Sequence, residues 1–212
     1  MTLLLDEDVY NNYFDYLICG NKRGCSQIVE GLMENNCSVE NIYAGLFQRS
    51  LYQVGEYWEQ NLISVATEHM VTAITESLMI SMQPKIFNTE RVGKKAVIAS
   101  VAGEFHQVGA KMVADVFEMN GWDGHFLGGN TPEMELIRFI DETKPDVIGL
   151  SLTLYFNLPA LLSEVEKIKH YFPETPLIVG GQAFKYSSGK EAVKPFKETH
   201  YLSSMHSLER FF

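Results

Sequence analysis

Val97-Ile98-Ala99-Ser100-Val101-Ala102-Gly103-Glu104-Phe105-His106-Gln107-Val108-Gly109 is the stretch from which the fold can be read. Its first half is an apolar, β-branched run of the length of a buried strand. It breaks at Ala102-Gly103, and helical periodicity begins near Gln107. A strand, a short loop and a helix in that order predict one unit of an open α/β sheet, where ligands bind at the carboxyl ends of the strands. The loop holds a carboxylate and an imidazole two residues apart, Glu104 and His106, with Gly109 three residues further on. A carboxylate next to a histidine fixes its tautomer and ring direction, which a metal-ligating imidazole requires. Gly109, in the first turn of the helix, removes a side chain where a bulky group would approach the backbone. An ordinary strand–helix loop with a surface histidine has the same local pattern, so the hexapeptide needs support from elsewhere in the chain.

Working outward, strands and helices alternate from Ala96 to the end. Strands are expected at Ala96 to Val101, Asp123 to Leu127, Val147 to Leu152, Pro176 to Val179 and near His200. The intervening helices run Val108 to Asn120, Glu133 to Glu142, from Leu158 past Ile168, and more weakly around Lys190; a last one starts at Ser204. The β-α repeat implies a parallel sheet of about five strands covered on both faces, in flavodoxin-like (Rossmann-type) order. Residues before about 86 carry no strand pattern. Four helices are expected there: one capped by Asp6 or Asp8 and ended by Gly20; one over Lys22 to Asn35 with Ile28, Leu32 and Met33 inward; one capped at Ser38 and ending after Trp58; and one capped by Ser64 and running to Pro84. Four helices with short connections suggest a bundle. The polar run from Asn88 to Lys95 reads as a linker. The expected division is a four-helix bundle over 1–87 and an α/β domain over 88–212.

Composition narrows the function classes. The 212 residues are 46% hydrophobic and 21% charged, enough for a full core. Seventeen Lys and Arg against 27 Asp and Glu give a net charge of -10. Duplex binding needs clustered basic residues, so no direct nucleic-acid partner is expected. Cys19, Cys25 and Cys37 match no zinc or redox spacing and read as buried thiols of a reducing compartment. The opening residues lack a signal-peptide pattern and no run is long enough to span a membrane, so a cytoplasmic protein is expected.

The strands end at Glu104-Phe105-His106, Ser151-Leu152-Thr153 and Gly180-Gly181. Parallel strands put these ends on one sheet edge. Small and hydroxyl residues there leave a channel where a dry core would place larger apolar groups. Glu104-x-His106-x-x-Gly109, a gap of 41 residues, Ser151-x-Thr153, a gap of 26, then Gly180-Gly181 resembles the cobalamin-binding module of corrinoid proteins, whose pattern is D-x-H-x-x-G, S-x-L or S-x-T, and G-G. The resemblance covers roughly 94 to 205 and rests on three motifs in register. It implies cobalamin bound base-off, its dimethylbenzimidazole tail beside the sheet and His106 as the lower axial ligand to cobalt. The chain departs from the pattern twice: Glu104 stands where Asp is usual, and Asn157 where the methionine synthase type has a Ser that completes a proton relay.

The helical half carries a second pattern. Trp58, nine residues, then Glu68-His69 resembles the W-x9-E-H motif of the light-sensing, adenosylcobalamin-dependent repressors of the CarH type, and Leu127-Gly-Gly129-Asn-Thr131-Pro resembles a loop of that family. The resemblance implies that Trp58, Glu68 and His69 meet the upper ligand of a corrin held between bundle and sheet, with Gly129, Thr131 and Asn157 among the cofactor contacts. Glu59 follows the Trp where some members have a cobalt-ligating His, and the DNA-binding module that precedes the bundle in those repressors is not expected ahead of the first helix. His125, His170, His200 and His206 read as structural or exposed.

Two functions follow from the resemblance. One is a cobalamin sensor or photoreceptor that takes adenosylcobalamin, with methylcobalamin or hydroxocobalamin as other forms, and signals to a protein effector or through a homo-oligomer, without catalysis of its own. The other is a corrinoid methyl carrier of a methyltransferase system. A flavin or receiver protein fits the sheet but not the spacing of the three motifs.

Overall fold

The computed structural model describes residues 5–185 and 187–212. The chain divides into two compact units, 1–86 and 87–212.

The first unit is helical, with α1 at Glu7–Ile18, α2 at Lys22–Glu34, α3 at Val39–Ile42, α4 at Arg49–Glu59 and α5 at Val65–Ile86. Local sequence sets the starts. Asp6 accepts the Asp8 amide at 2.8 Å, Asn21 the Gly24 amide at 3.0 Å, Ser38 the Asn41 amide at 3.2 Å and Ser64 the Thr67 amide at 3.1 Å. Each satisfies an N–H that the first helical turn leaves without a carbonyl. Tyr13, Leu17, Ile42, Tyr43, Leu46, Phe47, Val71 and Met79 are fully buried.

Four details differ from the expectations. α3 and α4 are joined by a π-helical stretch, Tyr43–Gln48, which buries Tyr43, Leu46 and Phe47; periodicity at 3.6 carries no signal for it. α2 buries Gly24, Cys25 and Val29, while Ile28, Leu32 and Met33 are only partly covered. The small Gly24 faces Tyr16 closely, and that contact turns the buried stripe. α5 continues past Pro84 to Ile86, because Pro84 lies in its last turn and the single bond it removes belongs to the exposed Ile80 region. Of the cysteines only Cys25 is buried; Cys19 caps the end of α1 and is exposed, and Cys37 is partly covered.

The second unit is a five-stranded, all-parallel sheet in the order β2-β1-β3-β4-β5, with β1 at Lys95–Ser100, β2 at Asp123–Phe126, β3 at Val147–Ser151, β4 at Leu177–Gly180 and β5 at Thr199–Tyr201. This is the order expected from the β-α repeat. Helices α6 (Val108–Met119), α7 (Glu133–Thr143), α8 (Leu158–Tyr171) and α9 (Ser187–Val193) connect the strands. In β1, Val97 and Ala99, followed by Val101, face one core with Leu136, Ile140, Leu161, Val165 and Ile168 of α7 and α8. Ala96 and Ile98 face the other with Ala110, Ala114 and Phe117 of α6 and Trp122. Both faces are therefore covered, which explains a continuous apolar run where a half-exposed strand would alternate. The helices that leave β1 and β3, α6 and α8, lie on opposite faces, so the β1/β3 junction is the switch point of the sheet. The last element, the helix expected from Ser204, is a 3₁₀ helix over Met205–Phe211; it brings Leu208 and Phe211 onto the α6 face. The run expected as a linker is tied to this unit: Thr89 donates to the Met119 carbonyl, the Val92 amide to that of Gly121, and Arg91 to Glu118 and the Trp122 carbonyl.

Candidate functional site

The pairing register sets three strand ends side by side. Ser100 pairs with Ser151, and Ser151 with Gly180. Beyond them the chain leaves the sheet in three loops, and Glu104 joins two of these.

The Glu104 side chain is fully buried. Its Oε1 lies 2.5 Å from His106 Nδ1 and accepts the His106 amide at 3.1 Å. Its Oε2 accepts the amides of Thr153 and Leu154 at 3.1 and 2.9 Å. Burial pushes this carboxyl up, but the hydrogen bonds from the His106 ring and the amides of Leu154 and His106 outweigh it and hold the group below its ordinary value. An ionised carboxylate only accepts, so Nδ1 is the protonated ring nitrogen and the lone pair of a neutral His106 is on Nε2. The His106 side chain is 39% exposed. A deeply anchored carboxylate thus presents an oriented imidazole at the sheet edge.

The surrounding loops brace one another. The Asn130 side chain accepts the Gly103 amide at 2.9 Å, its own amide donates to the Glu104 carbonyl at 2.8 Å, and the Gln107 side chain accepts the Gly129 amide at 3.1 Å. A Cβ on Gly129 would stand 3.1 Å from the Glu104 carbonyl oxygen, so the two loops would have to give by a few tenths of an ångström to admit a side chain. Thr131 donates to the Leu127 carbonyl at 3.2 Å. Asn157 precedes α8, its Nδ2 3.4 Å from the Gly103 carbonyl. Gly181 has φ +115°, and a Cβ there would fall 2.2 Å from the Leu152 carbonyl oxygen. Gly109 is exposed, and a Cβ built on it would meet only Ser151 Oγ, at 4.0 Å. That leaves bare backbone beside the strand-end hydroxyl of Ser151, with Thr153 two residues further along the chain.

Glu104, His106, Gly109, Gly129, Thr131, Ser151, Thr153, Asn157, Gly180 and Gly181 therefore share one edge of the second unit. Trp58, Glu68 and His69 belong to the helical unit. Trp58, next to last in α4, is 39% exposed; Glu68 accepts from Thr72 at 3.0 Å, and His69 Nε2 lies 3.6 Å from the other Glu68 oxygen. His125 packs edge-on to Phe139, while His200 and His206 stand near Glu198 and Glu209.

Sequence reasoning missed Gln107, Asn130, Leu154 and Glu164. Glu164, in α8 and 1% exposed, accepts the Ala102 amide at 2.7 Å, yet its Oε2 meets no hydrogen-bond donor among the described residues. Its position amid an apolar helical stripe was a legible signal; Asn130 after two glycines was another, since Asn tolerates the left-handed φ of +52° found there. The Leu154 amide carries no sequence signal.

Among the described residues no three His, Cys, Asp or Glu side chains gather to hold a bare metal ion. The edge instead offers one oriented imidazole and a glycine-lined strip. That set can supply one nitrogen ligand to a metal that other groups hold.

Comparison with known proteins points the same way. Two B12 binding domain family models match, one over residues 94–194 and another over 9–81. The HTH-type transcriptional repressor CarH of Myxococcus xanthus is 26% identical over 136 residues, 63% of this chain and 44% of the repressor. CarA of the same organism, also an HTH-type transcriptional repressor, is 24% identical over 56% of this chain and 41% of its own. The matches thus span less than half the length of these curated relatives. The Methanosarcina barkeri monomethylamine corrinoid protein superposes with a TM-score of 0.82 at 12% identity, covering 97% of both chains. The methanol:cobalamin methyltransferase complex MtaBC of the same organism gives 0.51 at 14% identity, over 99% of this chain and 79% of that one. A cobalamin-binding protein from Desulfitobacterium hafniense gives 0.50 at 18% identity, over 96% and 98%. At these identities the likenesses show the fold.

Proposed function

This chain belongs to the B12-binding domain proteins, and from that premise we propose that it holds cobalamin base-off, with His106 Nε2 as the lower axial ligand, and works as an adenosylcobalamin-dependent sensor. The observation that carries the ligand assignment is the 2.5 Å contact between His106 Nδ1 and a fully buried Glu104 carboxylate. Fixing one ring nitrogen as donor puts the lone pair on the other and makes it a better base, which supports the ligand assignment. Gly109 leaves room beside the sheet for the displaced nucleotide tail, and the hydroxyls of Ser151 and Thr153 and the backbone at Gly180-Gly181 are the groups to meet it. Bound adenosylcobalamin supplies a light-labile cobalt–carbon bond. Trp58, Glu68 and His69 are the residues assigned to the upper ligand: an exposed indole suits stacking on a flat purine, and Glu68 can accept from ribose hydroxyls. The CarH and CarA relatives and the Trp58 motif support this sensor reading, with a protein effector or a second copy as partner.

The second reading is a corrinoid methyl carrier. It is favoured by the full-length fold likeness to the monomethylamine corrinoid protein.

Two measurements test these readings. In protein labelled with nitrogen-15 histidine and loaded with cob(II)alamin, the axial hyperfine splitting in the electron paramagnetic resonance spectrum is expected to be that of a nitrogen-15 imidazole, and His106→Ala is expected to abolish it. The same splitting surviving in the alanine variant rejects His106 as the ligand. For the sensor, adenosylcobalamin-loaded protein is illuminated, and spectrum and hydrodynamic size are followed. A change in both is expected; a spectral change without a change in size, or tighter binding of methylcobalamin than of adenosylcobalamin, favours the carrier.

A further inference from the structure

The loop that carries Glu104 and His106 is fixed amide by amide. Past the end of β1 the Val101 amide makes the last bond to the sheet, donating to the Ser151 carbonyl at 3.1 Å. The Gly103 amide then goes to Asn130, the Glu104 amide to the Val101 carbonyl at 2.9 Å, and the His106 amide to Glu104. Ala102 is where the chain turns out of the sheet. Its amide donates to a group 62 residues away, the Glu164 side chain on α8, at 2.7 Å.

Packing gives no reason for an acid at that position. Glu164 lies in a stripe with Leu161, Val165 and Ile168, all buried against the sheet. An apolar side chain of the same length would fill the space without burying a carboxyl oxygen that has no donor, an arrangement that costs free energy. Glu164 accepts the Ala102 N–H, the one hydrogen bond its side chain makes among the described residues and one that such a side chain cannot make.

We propose that Glu164 is a positioning residue for the cobalt-ligating loop, its buried carboxyl fixing the Ala102 amide so that the turn through Gly103 delivers Glu104 and His106 in register with β3. The inference rests on the assignment of His106 as axial ligand.

The test compares Glu164→Gln, which keeps an oxygen acceptor in the same place, with Glu164→Met, which keeps the length and apolar bulk without one. In the cofactor-free protein, hydrogen exchange of the Ala102 amide is expected to quicken by about tenfold in Glu164→Met and to stay within about twofold of wild type in Glu164→Gln, as loss or retention of one buried hydrogen bond predicts. In protein loaded with cob(II)alamin, the fraction showing the histidine nitrogen splitting is expected to fall in the Met variant and to be restored in the Gln variant. Equal behaviour of Met and Gln in both readouts means that the side chain only fills space, and overturns the proposal. Faster Ala102 exchange with unchanged cobalt ligation also overturns it, since the clamp would then exist without positioning anything. If the wild-type protein itself lacks the histidine splitting, the ligand assignment falls and the positioning role with it, a failure that the exchange data from cofactor-free protein distinguish from the others.

Discussion

Asn130 holds the Gly103-Glu104 segment at both ends: its Oδ1 accepts the Gly103 amide at 2.9 Å, and its backbone amide donates to the Glu104 carbonyl at 2.8 Å. The loop after β2 thereby splints the loop after β1, and it does so from a left-handed conformation, φ +52°. Asn130→Ala removes the side-chain acceptor while asking Ala to keep that φ. The expected outcome is a loss of about 1–3 kcal/mol in chemical denaturation, together with weaker cobalamin retention. Asn130→Gly keeps the φ but not the acceptor, so it separates the two effects: its stability should lie closer to wild type than its cobalamin affinity does.

Gly109 offers the opposite kind of variant. Its Cβ would meet only Ser151 Oγ, at 4.0 Å, and the residue is exposed, so Gly109→Leu should fold normally and gain slightly from the helix propensity it adds. Loaded with cobalamin, the same variant should bind at least about tenfold more weakly, because the side chain occupies the strip assigned to the nucleotide tail. A leucine variant that binds as wild type does would place the tail elsewhere.

Trp58 is 39% exposed, so its replacement leaves little cavity behind. Trp58→Ala should shift the unfolding midpoint by no more than a few degrees, within about 1 kcal/mol. Its effect should appear in selectivity: the preference for adenosylcobalamin over hydroxocobalamin, measured by competitive binding, should shrink while hydroxocobalamin affinity holds. Equal losses for both ligands would remove Trp58 from the upper-ligand contacts.

The pH dependence of folding should carry the signature of Glu164. Burial pushes its carboxyl from an ordinary 4.5 up to about 7; the Ala102 amide opposes that, Glu133 of α7 adds to it, and Lys167 of α8 opposes it. Between those values the native state binds more proton than the unfolded chain, so stability falls as pH rises from about 5 through 7 and levels off above it. Glu164→Gln has no proton to lose. Thermal midpoints measured on cofactor-free protein from pH 5 to 8 should therefore decline in wild type relative to the glutamine variant, by an amount equivalent to about 2–3 kcal/mol at pH 8. Below pH 5 the trend mixes with protonation of Glu104, which is held below its ordinary value and withdraws stability as the pH falls. The comparison is cleanest above pH 5.

How much of this was legible in the sequence follows from how local each feature is. β1 could be placed because Val97 to Val101 is buried on both faces and therefore apolar without alternation. The strand-end residues could be grouped because parallel strands put their carboxyl ends together, so that Glu104, Ser151 and Gly180 needed only their order in the chain. The braces could not be found in this way. The amides of Thr153 and Leu154 meet Glu104 from about 50 positions away through backbone atoms, and backbone donors have no residue signature. In the helical unit, Tyr43–Gln48 escaped for a different reason: one extra residue per turn over six residues leaves the apolar positions consistent with an ordinary helix.

The division of labour between the two oxygens of Glu104 has a consequence for engineering this domain. One oxygen serves the histidine and the other serves the loop after β3, so the first and second motifs form a single mechanical part whose halves are written far apart. Shortening the acid to aspartate, the residue usual in corrinoid proteins, would pull it from one half or the other unless the β3 loop moved inward by the missing methylene. A chimera that borrows either segment from a relative should therefore borrow both, and swaps made one at a time should fail where the paired exchange succeeds.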